Sequence, residues 1–241
     1  DLHNYKIMVC ISENSREKEL QYIDLLYSHR VLGIVVCSHI GETMEHLDSN
    51  CPLISFEREI AENIPAVLCD NYQGGILAAN RLFDAGCRNI AIFNPPTKEN
   101  IPAYSREKAF MKCCEDKKIS GRVVYTDRLA PLSEEFGNNI LELLKKNSDL
   151  DGIFATSDVM AANIIRACKK MGKRVPEDIS IVGFDDTWIS TLTYPSITTI
   201  HQPVQEMCEY AIEAIVKKVK SEKVPSQVVF PVELIDREST K

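Results

Sequence analysis

The chain has 241 residues, 44% hydrophobic and 26% charged, enough for one large domain or two lobes of ordinary size. A formal net charge of −7 repels nucleic-acid phosphates, so these residues alone are not expected to grip DNA. No run approaches the roughly 18 consecutive apolar residues of a membrane span, and DLHNYKIMVC carries no basic or long apolar export segment, so no membrane partner is expected.

Short β-branched runs alternate with helix-period stretches along the chain. Lys6–Ile11 reads as a first strand, followed by an amphipathic helix over Glu17–Ser28 with Leu20, Ile23 and Tyr27 on one face. Strands are expected at Gly33–Cys37, Pro52–Phe56 and Ala66–Cys69. A helix after Asn71 then puts Ile76, Ala79 and Phe83 on one face and stops at Gly86. Gly74-Gly75 at its start fits close helix packing better than anion binding, since no basic residue is near in sequence. Further strands fall at Ile90–Phe93, Val123–Tyr125, Gly152–Ala155, Ile179–Val182 and Ile197–Ile200, with a longer extended segment at Val228–Ile235. Asp158 reads as the N-cap of a helix closed by Gly172, and Pro203 suits the first turn of another helix.

Several strand runs are apolar throughout, as parallel strands covered on both faces are, and the alternation predicts a doubly wound α/β architecture. Asn94-Pro95-Pro96-Thr97 and the turn-rich Phe184–Ser196 interrupt the pattern and point to a sheet split into two lobes.

Nine cysteines, with no Cys-x-x-Cys pair, read as buried free thiols acting as small hydrophobes, which implies a reducing cytoplasm. His3, His29, His39, His46 and His201 are scattered, without metal or triad spacing. No dinucleotide fingerprint, phosphate loop or nucleophile elbow occurs, so neither an enzyme nor a cofactor is expected.

Ligands of open α/β sheets bind beyond the carboxyl ends of the strands. Those ends carry Glu57-Arg58, Asp70-Asn71-Tyr72, Ser157-Asp158 and Asp185-Asp186, with Arg106 at a helix start and Gln202 after a strand. Carboxylates, a guanidinium and an amide suit a polyhydroxylated ligand, because a carboxylate accepts from neighbouring hydroxyls while arginine donates in a planar fork. Taken singly, Asp158 fits a helix cap before a ligand contact, and Arg106 fits a surface ion pair as well as a site.

Val175–Asp186, VPEDISIVGFDD, resembles the VPxDISVVGFDD segment of the lac/galactose repressor family. Tyr194–Pro203 is similar to that family's PPLTTIHQP, Asp70–Gly75 to its DNxxGG, Arg106–Phe110 to its RxxGF and Val31–Val36 to its RVDGIIL, all in the same order. Ribose and sucrose operon repressors are nearest in character. The resemblance implies a periplasmic-binding-protein-like type I fold: two Rossmann-like lobes with parallel sheets and three crossovers. The lobes would be 1–95 with 200–221 and 96–199 with 222–241.

It also implies a sugar effector in a cleft, a homodimer, and operator DNA held by a helix-turn-helix domain outside these residues. Carried over by position, Arg106 stands at the sugar-binding arginine and Asp185 at the carboxylate for sugar hydroxyls. Ser157 stands at a position often Asn, Gln202 at a cleft glutamine, Glu57 at the Asp of "IDR" and Asp70 at the head of DNxxGG. The family's first strand and its loop have no counterpart here. Ala109 and Cys208 replace glycines, and Ala130 falls near a usual aromatic platform, leaving Phe56, Tyr104 or Trp188 as the aromatic contact. Two alternatives to this function are an extracytoplasmic sugar-binding protein of a transporter and a repressor core that senses a purine or nucleoside.

Overall fold

The computed structural model describes residues 5–13, 15–37, 51–96, 101–127, 130 and 132–241. His3, His39 and His46 lie outside the described residues. The chain forms two compact units, Asp1–Leu68 with Gln205–Val228 and Cys69–Val204 with Val229–Lys241.

In the first unit, helix α1 (Arg16–Ser28) starts where the Ser15 hydroxyl accepts from the Lys18 N–H. Strands β1 (Ile34–Val36), β2 (Leu53–Phe56) and β3 (Ala66–Cys69) run parallel, and β9 (Gln227–Phe230) completes the order β1-β2-β3-β9. Helix α7 (Val204–Val219) buries Met207, Ala211, Ala214 and Ile215, and it comes so near Gly33 that a Cβ there would meet Ile215 Cγ2 at 2.6 Å.

The second unit holds a six-stranded sheet ordered β10-β8-β7-β6-β4-β5. Strands β4 (Asn89–Asn94), β5 (Ser120–Tyr125), β6 (Gly152–Ala155), β7 (Ser180–Asp185) and β8 (Thr198–His201) are parallel, and β10 (Glu233–Ile235) is antiparallel to β8. Helices α4 (Glu134–Lys146) and α5 (Asp158–Lys170) cover one face, where Ala91, Phe93, Ile153, Ile181, Ile140, Leu144, Ile164 and Cys168 form a continuous core. Helices α2 (Asn71–Asp84) and α3 (Tyr104–Asp116) pair with each other, and α2 packs on β6, β7 and β8. The two glycines let α2 approach on two sides: a Cβ on Gly74 would meet the Phe184 ring of β7 at 2.7 Å, and one on Gly75 would meet the Arg106 carbonyl oxygen of α3 at 2.3 Å. Both glycines are packing glycines, as their sequence context implied.

Four expectations change. Lys6–Ile11 is not a strand; Ile7 is 80% and Val9 78% exposed, and no described residue pairs with this run. Val228–Ile235 is two strands in two different sheets, broken at Pro231, which has no N–H to give to a ladder. The N-cap of α5 is Ser157, whose Oγ accepts from the Met160 N–H at 3.2 Å, and Asp158 is the first helical residue. Cys37 and Cys208 are exposed, whereas Cys69, Cys87, Cys114 and Cys168 are the buried thiols, with Cys114 pushed up to about 12 by burial. The boundaries also differ from the lobe ranges read from sequence: α2 and β4 belong to the second unit, and the chain changes unit near residues 68, 204 and 228 rather than at the Asn94–Thr97 interruption.

Candidate functional site

The carboxyl ends of the second sheet gather most of the residues singled out from sequence. Arg106, in the first turn of α3, is 7% exposed. Its Nε donates to Asn71 Oδ1 at 2.5 Å and its Nη1 to the Thr156 carbonyl at 3.2 Å, while the guanidinium carbon lies 3.4 Å from the centre of the Phe184 ring. Phe184 continues into Phe154 and Phe110 at centroid separations of 6.3 and 5.9 Å, so the guanidinium rests on a rigid aromatic column. Stacking and an acceptor at Nε fix the plane of the fork, the preorganisation that bidentate recognition of vicinal hydroxyls needs. Asn71 is held in turn by its Nδ2, which donates to the Cys69 carbonyl at 3.1 Å.

Asp185 ends β7 with φ 104, and Asp186 follows with φ 56. Two consecutive non-glycine residues with positive φ cost on the order of 1–3 kcal/mol each, and such strain persists where the surroundings over-determine it. Here they do. Asp185 Oδ1 accepts from Gln202 Nε2 at 2.6 Å, and Asp186 accepts from Arg237 Nη2 at 2.6 Å and lies 3.0 Å from His201 Nδ1. Burial works against charge on Asp186, but Arg237 and His201 outweigh it and hold the carboxyl below its ordinary range. Asp158, fully buried beneath this turn, accepts from the Thr187 N–H and hydroxyl and from the Thr199 hydroxyl, pinning the β7–α6 turn (α6, Trp188–Leu192) to β8. Burial raises its pKa despite those three donors.

Arg106, Asp185 and Gln202 therefore share the carboxyl edge of one sheet, with Gln202 bonded to Asp185 in the same unit. Ser157 is half-buried at the same edge. Asp70 caps α2, its Oδ1 accepting from the Gln73 N–H at 2.8 Å. Glu57 belongs to the first unit, just beyond β2, with φ 53. Trp188 is 70% exposed at the start of α6.

Sequence reading missed a second polar group on this edge. Glu107, buried beside Arg106, accepts from the Tyr125 hydroxyl at 3.0 Å and from Asn94 Nδ2 at 3.1 Å, and Asn94 Oδ1 accepts from the Thr156 hydroxyl at 3.1 Å. The bond to Glu107 raises the Tyr125 pKa. The one signal in the sequence was a polar residue at the end of each strand, Asn94 and Tyr125. Among the described residues no group of His, Cys, Asp and Glu is placed to hold a metal ion, and no helix is long and apolar enough to cross a membrane.

Comparison with known proteins follows the same lines. A family model described as a periplasmic binding protein-like domain matches residues 79–240. The ribose operon repressor of Halalkalibacterium halodurans is 31% identical over 240 residues, covering 99% of this chain and 71% of that protein. The sucrose operon repressor of Streptococcus mutans is 28% identical over 237 residues, covering 98% and 72%. Among solved structures, a periplasmic binding protein/LacI transcriptional regulator from Alkaliphilus metalliredigens in complex with D-xylulofuranose superposes with a TM-score of 0.86 at 32% identity, covering 99% of this chain and 88% of that one.

Proposed function

Since the chain belongs to the periplasmic binding protein-like family of LacI-type transcriptional regulators, we propose that it is the sugar-sensing core of a bacterial repressor. One observation carries this reading: a stacked, buried arginine and a strained Asp185–Gln202 pair at the carboxyl edge of a parallel sheet. Arg106 donates to ring and hydroxyl oxygens, and Asp185 accepts from adjacent hydroxyls while Gln202 fixes its carboxylate. Nothing in this set requires bond-making chemistry, so the site's work is binding. The sugar named with the Alkaliphilus structure supports this ligand class.

The regulatory output is a linkage. A helix-turn-helix domain, as the resemblance implies, binds operator DNA in a cytoplasmic homodimer. The sugar changes operator affinity only by the difference in its own affinity for the operator-binding and operator-free states. Glu57 and Ser157 are proposed as further ligand contacts, and Asp70 as the cap that orients Asn71.

A thermal-shift panel of free pentoses, hexoses and disaccharides tests the reading. At least one sugar is expected to raise the midpoint in a concentration-dependent way, as mass action requires of a ligand that binds only the folded state. Stabilisation by adenosine or hypoxanthine with none by any sugar would overturn it.

A further inference from the structure

The carboxyl edge of the second sheet is tied down by the segment that follows β10. That strand runs antiparallel to β8, with Glu233 opposite His201 and Ile235 opposite Thr199. Beyond it the backbone stays on β8: the Arg237 N–H donates to the Thr198 hydroxyl at 2.9 Å, and that hydroxyl donates to the Arg237 carbonyl at 3.1 Å. Ser239 adds a second tie, its hydroxyl donating to the Ile181 carbonyl and accepting from the Thr198 N–H. Fixed in this way, the mostly buried Arg237 side chain joins the segment before β8 to the turn after β7. Its Nη1 donates to the Ile197 carbonyl at 2.9 Å and its Nη2 to Asp186 Oδ1 at 2.6 Å.

Asp186 is the hub of that turn. Its Oδ1 also accepts from the Ser190 hydroxyl of α6 at 3.2 Å, and its Oδ2 lies 3.0 Å from His201 Nδ1. Its neighbours in the chain and in the ladder are the residues proposed to meet sugar. Asp185 precedes it, Gln202 follows His201, and Asp185 and His201 are register partners between β7 and β8. Asp185–Gln202 and Asp186–His201 are therefore two side-chain rungs between the same strand ends. Both aspartates have positive φ, so the turn depends on bonds from outside it, and Arg237 supplies one whose charge does not vary with pH.

The other charges around Asp186 are mainly of its own sign. They are Asp185 on β7, Asp158 on α5 and Glu233 on β10, opposite His201, while α6 brings none. Arg81 of α2, which packs on β8 and β10, is engaged with Asp236. Arg237 and His201 are thus the cations that Asp186 has to share among the described residues.

Building on the sugar-sensing reading, we propose that Arg237 is a positioning residue of the sugar site: through Asp186 it holds the strained turn that aims Asp185, and its fixed charge keeps sugar affinity independent of pH. Without Arg237, His201 becomes the cation left to Asp186, and an imidazole gains its charge only as the solution turns acid. Affinity then acquires a pH dependence of defined sign, tighter at about pH 5.5 than at about pH 8.

Calorimetric titration of the 241-residue chain with D-ribose, D-glucose, sucrose and cellobiose identifies the sugar that the wild type binds best. That sugar is then titrated at both pH values into Arg237→Gln, Arg237→Lys and the double variant Arg237→Gln/His201→Gln. Wild-type affinity is expected to change by less than about two-fold between the two, as a fixed arginine charge requires. Arg237→Gln should bind about ten-fold more weakly at the higher pH, the scale of one strained residue released. It should recover about three-fold at the lower pH, the scale of a partly exposed ion pair, and the double variant should not recover. Arg237→Lys keeps a cation without the planar fork, so it should fall between wild type and Arg237→Gln, and it carries the same comparison if Arg237→Gln does not fold. A purely structural arginine would lower the unfolding midpoint without a pH dependence that His201 controls. Unchanged affinity in folded Arg237→Gln, or a loss equal at both pH values, would overturn this proposal and leave the sugar-sensing reading standing. If no sugar binds the wild type, the sugar-sensing reading falls and takes this proposal with it.

Discussion

Gly75→Ala probes how the packing of α2 on α3 sets the site. The added methyl would lie 2.3 Å from the Arg106 carbonyl oxygen, 3.0 Å from its carbonyl carbon and 2.9 Å from Ala109 Cβ. The oxygen contact is about an ångström inside ordinary van der Waals distance, and its partner is backbone in the first turn of α3, which cannot rotate away. The helices must therefore separate. Overpacking of this kind costs about 1–3 kcal/mol, and a backbone clash belongs at the upper end. Alanine recovers about 1 kcal/mol in helix propensity. The net expectation is a loss of about 2 kcal/mol, or roughly 4–8 °C in midpoint for a chain of this size. The same separation pulls Arg106 from Asn71 and from the Phe184 ring, so sugar affinity should fall along with stability. Thermal unfolding by circular dichroism, with calorimetry on the folded variant, measures both. A Gly75→Ala protein as stable as wild type and with unchanged affinity would refute the view that this close approach seats the arginine.

Three further outcomes follow from the same geometry. Asp158→Ala leaves the Thr187 N–H and Thr199 hydroxyl without their buried acceptor, at about 1–3 kcal/mol each, so the variant should unfold at clearly lower denaturant than Asp158→Asn, which keeps one acceptor oxygen. Because Asp186 is held below the ordinary 3.8 of an aspartate, the stability it lends is complete above about pH 4 and fades as pH falls through its lower folded-state value. The stability gap between wild type and Asp186→Asn should therefore narrow as pH falls below about 4, and a gap that does not change with pH would contradict the ion pair with Arg237. Ser157→Ala should cost about 1 kcal/mol as a lost N-cap, measurable by urea titration, whereas Ser157→Asn, which also caps, should be near neutral.

What was legible in the sequence was local. Gly86 and Gly172 have the positive φ expected of helix stops, and Gly74-Gly75 lie in a helix contact as their surroundings implied. Polar residues at the ends of apolar runs marked the sheet edge, and Arg106, Asp185 and Gln202 meet on one unit because parallel strands end together. The failures are non-local. Lys6–Ile11 is an apolar, β-branched run like a covered strand, but a strand exists only with a neighbour, and none of the described residues supplies one. The chain changes unit within β3, at the start of α7 and within β9 with no shift in composition to mark it, so the sequence ranges place the first change too late and the other two a few residues early. The Glu107–Tyr125–Asn94 group joins three elements by bonds that no spacing announces, and Glu107 next to Arg106 reads in isolation as an ordinary helix charge.

The most direct test of the sugar-sensing site is calorimetric titration of the wild type and Asp185→Ala with whichever sugar stabilises the wild type most. Removing a carboxylate that accepts from two ligand hydroxyls, at about 1.5–3 kcal/mol for each charged bond, should weaken binding by about 100-fold or more. Circular dichroism on the same sample checks that the fold is intact when the alanine deletes the bond to Gln202. Affinity equal to wild type in a folded Asp185→Ala protein would contradict the assignment of this edge as the sugar site.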